Sequence, residues 1–168
     1  GLTFLFTGGT VIPVAGLSQA LLTKFGPRPV LTIGLTLITI GMVWYSQLPV
    51  HANFWTDLLP GYLLVGVGMA FSFIPMSIAA LAGVKSDEAG LASGLINTSQ
   101  QVGGALGVAI ASTVAFTHAD TLLKTGHAPA AALTSGFALG FWVIAGFGAA
   151  AVIATLALVR SGEVATDP

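Results

Sequence analysis

Cysteine is absent from this chain, and charge is nearly so. Without cysteine, disulfides, thiol nucleophiles and Cys-ligated metals are excluded. Lys, Arg, Asp and Glu make up 7 % of the 168 residues, against about 25 % in a soluble domain that must coat its surface. A net charge of −1 gives no basic face for nucleic acid. No H-E-x-x-H stretch and no facing pair of acids is visible, so no catalytic cluster, metal site or cofactor is expected, and the chain is not read as an enzyme. No secretory signal with a charged n-region is present. A chain opening at Gly1 in apolar sequence, without an initiator Met, reads as the C-terminal portion of a larger protein rather than a complete small one.

The few charges are grouped. They fall into five clusters: Lys24/Arg28, Asp57, Lys85/Asp87/Glu88, Asp120/Lys124 and Arg160/Glu163/Asp167. Between them run the uncharged stretches 1–23, 29–56, 58–84, 89–119 and 125–159. Each can supply about 20 residues of helix, enough to cross roughly 30 Å of hydrocarbon. A charge at the bilayer centre costs about 2.5–3.5 kcal/mol on insertion scales, so spanning segments exclude it. The mean hydropathy of +0.94 agrees. We expect an all-α integral membrane chain with five transmembrane helices: α1 over about 2–22, α2 over 30–48, α3 over 58–82, α4 over 87–116 and α5 over 134–159. The transmembrane region then covers 1–160, followed by a cytoplasmic tail at 161–168. The longest connection is expected between α4 and α5, from about His118 to Leu133.

Turn chemistry marks the edges. Lys24-Phe25-Gly26-Pro27-Arg28-Pro29 is a short Gly/Pro reversal between α1 and α2. Trp44, Tyr45 and Trp55 suit an interfacial aromatic belt. Gly83 is a candidate C-terminal cap for α3, and Ser86-Asp87-Glu88 a candidate N-terminal cap for α4. Four Lys/Arg residues (Lys24, Arg28, Lys85, Arg160) fall on one side of the membrane and Lys124 alone on the other. The positive-inside rule therefore puts the α1–α2 and α3–α4 connections and the C-terminus in the cytoplasm.

Two stripes run along α4. Ser99, Gly103, Gly107 and Ala111 recur at every fourth residue, the spacing that lets helix backbones approach closely. Asn97, Gln101 and Gly104 form a second, polar stripe. Amides in hydrocarbon need hydrogen-bond partners, so this face should meet protein or a wet cavity. Interhelical packing without ligand contact is the competing reading. In α3, Pro75 interrupts the helical hydrogen-bond ladder amid Met69, Phe71, Ser72, Phe73, Met76 and Ser77. Rings and flexible thioethers suit a cavity for varied apolar or cationic molecules. Ordinary packing around a proline kink is the alternative there. His51, His118 and His127 are expected in or beside loops.

The stretch from Gly90 to Ala109 closely resembles a helix of the major facilitator superfamily. The likeness is to the penultimate helix of its fourteen-helix drug:proton antiporters, the EmrB/QacA type. The family pattern is G-L-A-S-G-x-x-N-T-S-R-Q-x-G-G-A-x-G-x-A, and Gln100 stands where the family commonly has Arg. The α1–α2 turn resembles the superfamily's cytoplasmic signature G-x-L-a-D-R-x-G-R-R, with Leu21, Lys24, Gly26 and Arg28 matching and Gln19, Thr23 and Pro27 departing. Gly66–Pro75 resembles the twelfth helix, and Ser135–Trp142 the last.

The resemblance implies that α1 to α5 are helices ten to fourteen, part of the C-terminal half of that fold. It implies that α3 lines a central cavity, that α1 and α4 flank it, and that α2 and α5 lie outside, facing lipid. The implied function is multidrug efflux by alternating access, driven by protons, in a bacterial cytoplasmic membrane. Its partners would be the lipid bilayer, an apolar or cationic small molecule, protons, and the N-terminal helices of the same transporter. The substrate-cavity candidates are Met69, Phe71, Ser72, Phe73, Met76, Asn97 and Gln101. Pro75, Gly103, Gly104 and Gly107 are helix-packing or conformational candidates, and Lys24, Gly26 and Arg28 form the signature loop. A glycine in peripheral α2, such as Gly41, is expected to tolerate substitution. A superfamily transporter for another small solute and a non-transporting membrane scaffold are the alternatives.

Overall fold

The computed structural model describes residues 14, 16–81, 83–85 and 87–159. Most of α1 as expected, and the tail at 161–168, lie outside the described residues. Within them α1 is helical over 16–25, α2 spans Pro27–Tyr45, α3 Leu59–Leu81, α4 Ala89–Lys124 and α5 Pro129–Leu158. Four helices among the described residues are long and apolar enough to cross a membrane: α2, Phe54–Leu81, α4 and α5. Only 11 % of the apolar window of α5 is buried, so its surface is made for lipid or further protein rather than water.

Local chemistry explains the boundaries. Gly26 ends α1 with a Gly26 N–H to Leu22 carbonyl bond of 2.9 Å and a φ of +79°, a conformation that favours glycine. Pro27 then occupies the first position of α2, where its missing N–H has no helical acceptor to lose. This starts α2 three residues before the expected 30. α2 stops at Tyr45, short of Pro49. A single π-type turn, Phe54–Leu58, leads into α3. It is closed reciprocally: the Asn53 side chain accepts from Trp55 N–H at 2.9 Å, and Asp57 Oδ2 accepts from Asn53 N–H at 2.7 Å. Gly83, the expected cap of α3, takes a φ of +82°.

The α4–α5 region departs most from expectation. α4 runs 36 residues to Lys124, about 54 Å at 1.5 Å per residue, so it protrudes beyond the hydrocarbon. α5 begins at Pro129, and the expected long loop shrinks to residues 125–128. His118, expected at the edge of that loop, lies within α4. The stop is a Schellman motif: Gly126 N–H bonds Leu123 O, and His127 N–H bonds Leu122 O, each at 3.1 Å. Gly126 takes the required positive φ of +87°. At the other end the N-cap of α4 is Glu88, without a side-chain cap bond, and the first turn holds no acid. The Ser86-Asp87-Glu88 cap is therefore not formed as expected; Ser86 itself lies outside the described residues.

The four described spans pack in a row, α3–α2–α5–α4, with α3 and α4 touching only sparingly. Glycines set the spacing. A Cβ on Gly34 would sit 2.8 Å from Gly68 O, and one on Gly68 2.7 Å from Gly34 O, so the α2 and α3 backbones are in direct contact. A Cβ on Gly41 would meet Val65 Cγ2 at 2.7 Å, so Gly41 is a packed site and not a tolerant one. Between α4 and α5, Gly140 lies under Ala111 and Ala115, and Gly136 under Ala115 and Ala119. Gly148 of α5 receives Thr39 of α2. Thus α2 and α5 hold the middle of the row, and α3 and α4 its ends.

Candidate functional site

The site residues divide by helix face. In α3 the side facing α2 buries Gly68, Phe71, Ser72 and Pro75. Ser72 Oγ donates to Gly68 O at 2.8 Å, which satisfies the buried hydroxyl within its own helix. Phe71 and Ser72, proposed from sequence as cavity residues, therefore form the packed back of α3. Met69 and Phe73 lie four residues apart on the other face and are exposed, Phe73 by 56 %, with Met76 half-buried beside them. Only the latter three share an open face.

In α4, residues 90–110 are almost wholly open. Asn97 and Gln101 are exposed, on the first half of a helix that touches α3 only sparingly. A Cβ on Gly103, Gly104 or Gly107 would meet nothing within 4 Å. These three glycines instead floor an apolar cleft of about 560 Å³, walled by Leu106, Val108 and Ile110 of α4 and by Ile144 and Phe147 of α5. The small-residue stripe becomes a packing seam only from Ala111 onward, where Ala111, Ala115 and Ala119 are buried against α5.

The signature loop sits at the far end of the bundle. Lys24 Nζ lies 5.5 Å from the centre of the Phe25 ring. Arg28 Nη2 donates to Leu156 O at 2.6 Å, across 128 residues of sequence. Leu156 is in the last turn of α5, where carbonyls lack helical partners and a cation is favourable. At the opposite end His118 Nε2 lies 3.2 Å from Ser135 Oγ, tying α4 to α5. Sequence reasoning missed both contacts, because neither has a local pattern. It also missed Gly34, Gly68, Gly136 and Gly140. The four-residue spacing of Gly136 and Gly140 is the signal that identifies a seam.

Comparison with known proteins adds the family. The chain is 31 % identical over 161 residues to the puromycin resistance protein pur8 of Streptomyces alboniger, covering 94 % of this chain and 32 % of that protein. It is 30 % identical over 115 residues to a multidrug resistance protein B homolog of Mycobacterium tuberculosis, covering 66 % and 21 %. It is 30 % identical over 116 residues to the lincomycin resistance protein of Streptomyces lincolnensis, covering 69 % and 24 %. It is also 31 % identical over 101 residues to the MFS-type transporter EfpA of Mycobacterium tuberculosis, covering 59 % and 19 %. The chain belongs to the major facilitator superfamily. No family model matches it, and no solved structure does. This superfamily chain spans about a third of the length of the puromycin resistance protein.

Proposed function

We propose that this chain forms the C-terminal part of a multidrug exporter that is driven by the proton gradient and works by alternating access. The relation to proteins named for resistance to puromycin and to several drugs carries this reading. Met69, Phe73 and Met76 of α3, with Asn97 and Gln101 of α4, form the wall of the drug cavity. Thioethers and a ring adapt to varied apolar molecules and attract cations, while the amides hydrogen-bond polar substituents. Phe71, Ser72 and Pro75 hold the shape of that wall from behind. Gly103, Gly104 and Gly107 leave a bare backbone surface for a helix of the remaining transporter.

No acid or base lies deep in a described span, so the proton-carrying group belongs outside this chain. The Lys/Arg bias supports a cytoplasmic C-terminus, and the bacterial sources of the relatives support a bacterial cytoplasmic membrane. The test is transport by the full-length protein in everted membrane vesicles. Drug accumulation that needs a pH gradient and collapses with a protonophore is expected. Vesicles that move no drug, or move it equally without the gradient, would refute the reading.

A further inference from the structure

We propose that the bundle end carrying the α2–α3 and α4–α5 connections holds a site for an amphipathic ammonium ion, with Trp44, Gln47 and Asp57 around the head and Tyr45, Phe137 and Phe141 around the tail. Two cavities adjoin there, with two wall residues in common. One, of about 200 Å³, is lined by Trp44, Gln47, Leu48, Pro49 and Asp57. The other, of about 280 Å³, is lined by Tyr45, Phe137 and Phe141 and shares the walls Leu48 and Pro49. One is polar and the other aromatic, so together they match a molecule with a charged head and an apolar body.

The charge of the head follows from the walls. Trp44 Nε1 donates to Asp57 O at 2.7 Å, which fixes the indole beside the acidic residue. Asp57 Oδ2 accepts from Asn53 N–H, and Oδ1 accepts from Thr56 Oγ1 at 3.1 Å. A carboxylate has about four acceptor positions, so two bonds leave room for more. Lys124 pairs with Asp120, and among the described residues no cation is paired with Asp57. A carboxylate beside an indole attracts an ammonium group and repels an anion.

The source follows from depth. Trp44 is in the last turn of α2, and Asp57 lies in the π-type turn that leads into α3, so the polar cavity lies at the height of lipid headgroups. An ethanolamine phospholipid is the source at hand, and a free lipophilic ammonium compound is the other.

The test uses the intact protein, purified in mild detergent and stripped of lipid. It is offered equal amounts of phosphatidylethanolamine and phosphatidylglycerol, and retained lipid is counted by native mass spectrometry. Wild-type protein should retain the ethanolamine lipid about fivefold better, the size of one exposed cation–π contact. Asp57→Asn and Trp44→Leu should each remove that preference, whereas Trp142→Leu on the exposed face of α5 should keep it. If dodecyltrimethylammonium displaces the ethanolamine lipid, the site accepts both sources. If it binds in an Asp57-dependent way while the lipid does not, the source is the free compound. Equal retention of the two lipids by wild-type protein, with no Asp57-dependent binding of the free amphiphile, overturns the site whether or not the variants fold.

Discussion

Arg28 and Leu156 meet at 2.6 Å, guanidinium to backbone carbonyl, where the start of α2 passes the end of α5. The contact places a cation on unsatisfied carbonyls and joins the signature loop to the last span. A charge-assisted hydrogen bond of this kind contributes about 1.5–3 kcal/mol when well shielded and less when exposed. Arg28→Gln should therefore lower the unfolding temperature in detergent by several degrees. Lys24→Gln, whose ammonium is exposed over Phe25, should change it far less. Equal effects would mean that the α5 contact contributes nothing particular.

Glycine contacts give a sharper test. Gly34 and Gly68 face each other with carbonyl oxygens under 3 Å from any added Cβ. Gly34→Leu and Gly68→Leu should each prevent folding, because neither backbone can retreat, whereas Gly41→Leu, which meets the Val65 side chain, should destabilise by about 1–3 kcal/mol. Membrane-inserted, monodisperse protein after size exclusion is the readout. On the open part of α4, Gly94→Ala should be tolerated, because nothing lies within 4 Å of that position.

Within α3, two phenylalanines should behave differently. Phe71 is buried against α2, and Phe71→Ala should cost about 3–5 kcal/mol of stability and reduce transport of every substrate alike. Phe73 is exposed, and Phe73→Ala, like Met76→Ala, should leave expression unchanged while reordering preference among substrates. Uniform loss in the Phe73 variant would assign it to packing against the rest of the transporter.

Topology is checked by labelling. In full-length protein without other reactive thiols, Thr125→Cys, in the short α4–α5 turn, should react with an impermeant thiol reagent from outside. Glu88→Cys, at the start of α4, should react only after permeabilisation. The reverse pattern would invert the proposed orientation.

Energy coupling should not depend on Asp120. Its carboxylate pairs with Lys124 one helical turn away, and both side chains are exposed. Such pairs contribute about 0.3–0.5 kcal/mol. Asp120→Asn should leave substrate-induced proton movement in proteoliposomes intact. Its loss, with drug binding retained, would place the coupling group in this chain.

Charge spacing alone located the spans of α2, α3, α4 and α5, because burial of charge in hydrocarbon is costly enough to override every other preference. Their ends were less legible. Charge returning at Asp120 puts the expected end of α4 at about 116, but a helix need not stop where the membrane does. It stops at Gly126, whose left-handed φ closes the Schellman motif. The site was legible as a set of residue types and not as a surface. Met69, Phe71 and Phe73 look alike in sequence, yet a helix sends Phe71 to α2 and the other two away from it.

The sequence by itself determined that this chain is helical, membrane-spanning and of the facilitator type. Hydropathy, turn residues and the Gly90–Ala109 pattern are local quantities that need no neighbours to be read. Only the tertiary structure decided which glycines carry backbone contact, which end of α4 is packed, and that Arg28 reaches Leu156. Those facts depend on which helix lies beside which, and the row α3–α2–α5–α4 is not the order of the chain. Helices in lipid have no hydrophobic force to pair them, so their partners are chosen by shape and hydrogen bonding across long sequence distances.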